Sequence, residues 1–150
     1  MPVNKSVERF RALTDEMKKA VHENAVAELN RQATELKNAI EQVAPVYQGP
    51  PIAGVQPGAL KTTVSVVPDK SKDTVVRVVA GGFLTVRSSV GGSRPFDYSR
   101  AAEFGTQKMQ AEPFFFPTYR LMKKRIIAQM KRRIATEIRK YSAEQKGTNV

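Results

Sequence analysis

The sequence predicts an α+β fold in which two long terminal helices flank a β-rich middle, and three observations lead there. Apolar residues recur at spacings of three and four near both ends of the chain, the period of a helix with one buried stripe. Between those ends lie two β-branched runs of alternating polarity, and glycine and proline cluster at the junctions. The expected architecture is a single domain. Its two helices pack on the same face of an antiparallel sheet of about three to four strands, which carries a flexible β arm.

The first helix is expected over 1–44, where Phe10, Leu13, Met17, Val21, Ala25, Leu29, Ala33, Leu36, Ile40 and Val43 form the stripe. Asn4 or Ser6 can cap its free amide groups, and Pro45 ends it. Its other face is charged but balanced, with Glu16 and Lys19 and then Glu28 and Arg31 at helical spacing. Residues 45–58 hold four prolines and three glycines and are expected to be a loop. Segment 59–117 is read as the sheet, the arm and an aromatic loop. Strands at 60–67 and 74–80 would form a hairpin across the polar residues 68–73, with Leu60, Thr62, Val64 and Val66 on one face. A third strand at 83–90 lies between Gly81-Gly82 and Gly91-Gly92, paired glycines that leave the 81–92 arm loose. Residues 95–117 read as irregular, with a helical turn at 98–104 and a strand at 114–116. Tyr119, Met122, Ile126, Met130, Ile134, Ile138 and Tyr141 then predict a second amphipathic helix over 118–145, followed by a fraying tail at 146–150.

Composition excludes several classes. The chain has 150 residues with 25 Lys plus Arg against 14 Asp plus Glu, a formal net charge of +11. Without cysteine it has no disulfide framework, thiolate nucleophile or cysteine-held metal. No apolar run approaches the roughly 20 residues of a membrane span, and 1–11 lacks a signal-peptide core, so a cytosolic site of synthesis is expected. Catalytic signatures also fail. His22-Glu23 has Val26 where a zinc protease helix needs its second His, and Gly91-Gly92-Ser93-Arg94 meets Pro95 where a nucleophile elbow needs Gly. Asp69 and Asp73 sit in a turn, where Asp bonds its own backbone. The expectation is a non-enzyme with no cofactor and no metal.

Charge is unevenly placed, because residues 119–150 hold 10 basic and 2 acidic side chains. Arg120, Lys123, Lys124, Arg125, Lys131, Arg132 and Arg133, with Arg139 and Lys140 beyond, are suited to phosphate contacts. They spread around much of the helix and no base-reading motif accompanies them. A solvated face, or one complementary to an acidic protein, therefore ranks ahead of nucleic acid, which stays as the alternative function. A third reading is assembly, since Phe104, Phe114, Phe115 and Phe116 fall in irregular chain, where aromatics anchor interfaces as well as closing core ends.

Ala44-Pro45, the stretch from Pro57-Gly58 through Ala59-Leu60-Lys61-Thr62-Thr63-Val64, Tyr98, Glu103-Phe104-Gly105-Thr106, Ala111, Pro113-Phe114 and Pro117 carry a family resemblance. They resemble the pattern of the head-to-tail joining, or tail-component, proteins of long-tailed bacteriophages. Pro57-Gly58 stands where that pattern has Thr-Gly, after a longer proline-rich loop. The resemblance implies a structural virion protein of the phage neck, made in the host cytoplasm, that forms a homo-oligomeric ring, commonly a hexamer in that family, joining the head connector (adaptor or stopper) to the tail tube or sheath. The implied roles are tail terminator, tail completion or neck protein, with a lumen through which DNA could pass and no membrane. In that setting Glu103-Phe104-Gly105-Thr106 would make a tight turn. Gly105 supplies a positive φ, Phe104 anchors the turn in the core, and Glu103 accepts backbone or Arg donors. Pro113-Phe114 and Pro117 would set the approach to the last helix, with Pro117 or Thr118 at its edge. The arm residues Phe83, Leu84, Val86 and Val90 are the expected partner contacts, adding a strand to a neighbour's sheet edge.

Overall fold

A computed structural model describes residues 5–46, 48, 56–87 and 95–147. In chain order the elements are α1 (Lys5–Val43), α2 (Ala59–Thr62), β1 (Ser65–Pro68), β2 (Val76–Val79), β3 (Val86–Arg87), β4 (Phe96–Asp97), α3 (Tyr98–Phe104) and α4 (Phe115–Gly147). The chain divides into two compact units. One comprises Met1–Arg31 with Arg125–Val150, the other Gln32–Lys124.

The core lies in the second unit. All ten buried apolar residues found among the described residues belong to it, among them Leu36, Ile40, Leu60, Val64 and Phe114. In the first unit the stripe residues Leu13, Met17, Val21, Leu29, Ile126, Met130 and Ile134 are only half-buried. Its buried side chains are polar. Glu28 accepts both Nε (3.0 Å) and Nη2 (2.6 Å) of Arg31, one of the pairs the sequence places at helical spacing. Glu137 takes Lys140 at 2.9 Å and Arg133 at 3.6 Å, while Arg133 Nη2 donates to Asn24 Oδ1 at 2.6 Å and so ties α4 to α1.

The β-rich middle departs from expectation. Instead of one sheet of three to four strands, the described residues hold two antiparallel pairs, β1 with β2 and β3 with β4. The first is the expected hairpin, in register Ser65↔Val79 to Pro68↔Val76, with its turn closed by Asp69. Asp69 Oδ1 accepts from the backbone of Ser71 and Lys72, and Oδ2 from Arg77 at 2.6 Å. The predicted strand at 60–67 begins only at Ser65, because 59–62 is the helical turn α2. Leu60 and Val64 are buried as alternation requires, but a spacing of four serves a strand face and a helical turn equally. Gly58, with φ 79, starts the turn, and the Thr62 and Thr63 hydroxyls donate back to Ala59 and Leu60 carbonyls. These local bonds compete with extension.

The expected helical turn at 98–104 is α3, whereas the expected strand at 114–116 is the start of α4. Pro117, placed by the sequence at the helix edge, is instead its third residue, where its missing N–H has no carbonyl to meet. Residues 49–55 and 88–94, including Val90 and the Gly91-Gly92 end of the arm, lie outside the described residues.

Candidate assembly surface

Segment 95–117 folds around one carboxylate. Asp97 caps α3, its Oδ1 accepting from the backbone N (2.9 Å) and Oγ (2.7 Å) of Ser99. Along α3 the side chains of Ser99, Ala101, Ala102 and Glu103 are buried. Gly105 ends the helix at φ 74 and ψ 177, a conformation open essentially to glycine alone, and its N–H donates to Ala101 O. A Cβ there would sit 3.0 Å from both Met109 O and Ala111 N. The chain turns back through Thr106, which pairs with Met109, and Glu112 N donates to Ala102 O at 2.8 Å.

That return brings the start of α4 onto Glu103. Its Oε2 accepts from the backbone of Phe114 and Phe115 at 2.9 Å each, and Oε1 from Phe116 at 3.0 Å. Three amide groups without a helical partner thus meet one buried carboxylate supplied from another helix. Expectation gave Glu103 backbone or Arg donors, and the donors are backbone.

Phe104 overturns its assigned role. Glu103 is buried in the clasp, whereas its neighbour Phe104, the last residue of α3, is 65 % exposed. Its ring lies 6.0 Å from that of Phe116, also exposed, while Phe114 is buried and edge-on to Phe115. Gly105 and the exposed Thr106 and Pro113 shape the backbone of this block.

The arm residues Phe83, Leu84 and Val86 are exposed, Phe83 at 94 %. Sequence reasoning missed what holds them. Thr85 is fully buried, and its hydroxyl accepts from Gly82 N at 2.8 Å and donates to Gly82 O at 3.0 Å. Val86 and Arg87 then pair with Asp97 and Phe96. The Gly82-to-Thr85 spacing was the available signal, since threonine commonly bonds backbone two or three residues away.

The basic residues Arg120, Lys123, Lys124, Arg125, Lys131, Arg132 and Arg133 are all exposed. Lys123 Nζ stands 6.0 Å over the ring of Tyr119. Arg132 and Arg133 line a hollow of about 600 Å³ in the first unit, together with Arg31, Glu28 and Gln129. Among the described residues no group of three or more His, Asp or Glu could hold a metal ion, and no helix is long and apolar enough to cross a membrane. Compared with protein-family models, curated proteins and solved structures, the chain matches nothing in any of the three.

Proposed function

We propose that this chain is a structural subunit of a bacteriophage neck, which forms a homo-oligomeric ring, hexameric as in the family it resembles, between the head connector and the tail tube. Tail completion or tail termination is its role, and the virion is its final location. The observation that carries this reading is the clasp at Glu103. Glu103 of the family pattern binds the backbone of Phe114, Phe115 and Phe116, and Phe104 and Phe116 are left exposed. A buried carboxylate that fixes a helix start while two aromatic rings stay in water suits an interface better than a core.

Ring closure requires two different surfaces per subunit, so that a heterologous contact returns to its start. The aromatic pair offers one such surface and the Phe83-Leu84 projection another. Light scattering on the purified chain, alone and with purified tail tubes, tests the reading. Capture on tube ends as a ring is the expected result. A monomer that ignores tubes but binds DNA with a steep salt dependence would overturn it in favour of the nucleic-acid alternative.

A further inference from the structure

We infer that Phe83 of one copy of this chain seats in the hollow beside Phe104 and Phe116 of the next, forming the contact from which the ring is built; this rests on the assembly reading and assigns its residues.

The projection that carries Phe83 is built before any partner arrives. Gly81 and Gly82 take φ values of 96° and 135°, which L side chains rarely adopt. The Gly82 carbonyl accepts from the backbone of both Thr85 (2.9 Å) and Val86 (3.0 Å), besides the Thr85 hydroxyl. At the base, Gly81 lies so close to α3 that a Cβ would stand 2.4 Å from Ser99 Oγ, and its N–H donates to Thr63 Oγ1 at 3.0 Å. The tip is therefore fixed at both ends, yet Phe83 touches almost nothing. With the backbone of the tip already fixed, only the ring of Phe83 has freedom to lose on docking, and a preorganised backbone is one way an anchor gains affinity.

The receiving hollow has a volume of about 240 Å³ and is walled by Ala80, Phe104, Phe114 and Phe116. Glu103 also borders it, but both carboxylate oxygens are occupied by backbone N–H groups. The remaining charge is Arg100, exposed and beside Phe104, where a guanidinium can lie against the face of an incoming ring. Such a hollow takes an uncharged aromatic side chain.

Two observations make that side chain another copy's. Residues 81–86 carry no charge, and copies with a formal net charge of +11 approach one another most easily through uncharged surface. A nucleic acid or an acidic protein would instead be drawn to the cations of α4. Area agrees. At roughly 200 Å² per phenylalanine, the exposed fractions of Phe83, Phe96, Phe104 and Phe116 amount to about 500 Å² of apolar surface within one unit. With Leu84 and Leu121 added, the two sides of one contact together hold about 700 Å² of exposed apolar surface, against roughly 900 Å² in a standard interface of about 1,600 Å² that is a little over half apolar.

The absence of native cysteine makes the test clean. Full-length Leu84→Cys and Arg100→Cys chains, which keep Phe83 and Phe104, are treated with a short thiol-to-thiol cross-linker, separately and mixed, and Phe83→Ala is followed by sedimentation and by capture on tail tubes. The mixture should cross-link well above either chain alone. Phe83→Ala should weaken self-association by about 30-fold or more with an unchanged melting temperature, since the side chain is 94 % exposed. Assembly of Phe83→Ala with wild-type affinity would overturn the contact and leave the ring reading intact. Wild-type assembly by Phe83→Ala together with lost tube capture would also overturn it, by giving the knob to the tube protein. A wild-type chain that stays monomeric with and without tubes would sink both.

Discussion

Glu103 is the residue on which the aromatic block turns. Its carboxylate stands where a short N-cap side chain would ordinarily stand, and it serves three amide groups instead of one. Glu103→Ala would strand those donors beneath Phe114, and urea denaturation should show a loss of about 2–3 kcal/mol at unchanged m-value. Glu103→Gln keeps one acceptor oxygen and should fall between the two. Asp69 offers a complementary test by pH. The backbone N–H of Ser71 does most to hold its carboxyl below the ordinary 3.8; burial opposes it, and Arg77 and the Lys72 N–H lower it further. A carboxyl whose pKa is depressed by folding stabilises the fold above its unfolded value. That contribution is lost as pH falls through the lower, folded value. NMR titration should place the Asp69 midpoint below 3.8, and Arg77→Ala should move it upward.

At the scale of elements, α1 is one helix with two environments. Its residues Ala33, Leu36 and Ile40 are in the core, whereas 5–12 are exposed throughout and 13–29 hold their apolar stripe half in water. Amide exchange followed by mass spectrometry should therefore find 32–43 protected nearly to the global limit, with 5–20 opening far more readily. Ile40→Ala, at a fully buried site, should cost about 2–5 kcal/mol, while Leu13→Ala should cost well under half of that. The same contrast explains what was legible in the sequence. Both long helices follow from their periodicity, and the hairpin from its β-branched runs and Asp69 turn. Periodicity says which side of a helix is apolar but not how far along its length that side is covered, which depends on residues distant in sequence. The 60–64 stretch was misread because Leu60 and Val64 satisfy two periods at once. Phe104 was misread because hydrophobicity outranked hydrogen bonding, and the buried side chain is its neighbour Glu103. Neither Thr85 nor the three-donor clasp at Glu103 leaves a periodic trace, since each depends on where the backbone returns.

For the whole molecule, charge and apolar contact pull assembly in opposite directions, and salt separates them. Each copy brings a formal +11, and α4 carries many exposed cations beside Glu137, which is buried and already paired with Lys140. Bringing several such copies together raises their mutual repulsion. The proposed Phe83 contact has no ion pair to lose and one exposed cation, Arg100, at its edge. Raising ionic strength from about 0.1 M to about 1 M shortens the screening length from roughly 10 Å to roughly 3 Å. Repulsion then weakens while the apolar contact persists. Sedimentation equilibrium across that range should therefore show self-association strengthening with salt. Phosphate binding by α4 must run the other way, because each neutralised phosphate releases counterions and log K falls with log salt. Lys131→Ala combined with Arg132→Ala should flatten any DNA-binding slope and, by lowering the net charge, favour assembly at low salt. Self-association that instead weakens with salt would mean that ion pairs hold the copies together, and would move the contact from the aromatic surface to the charged helices.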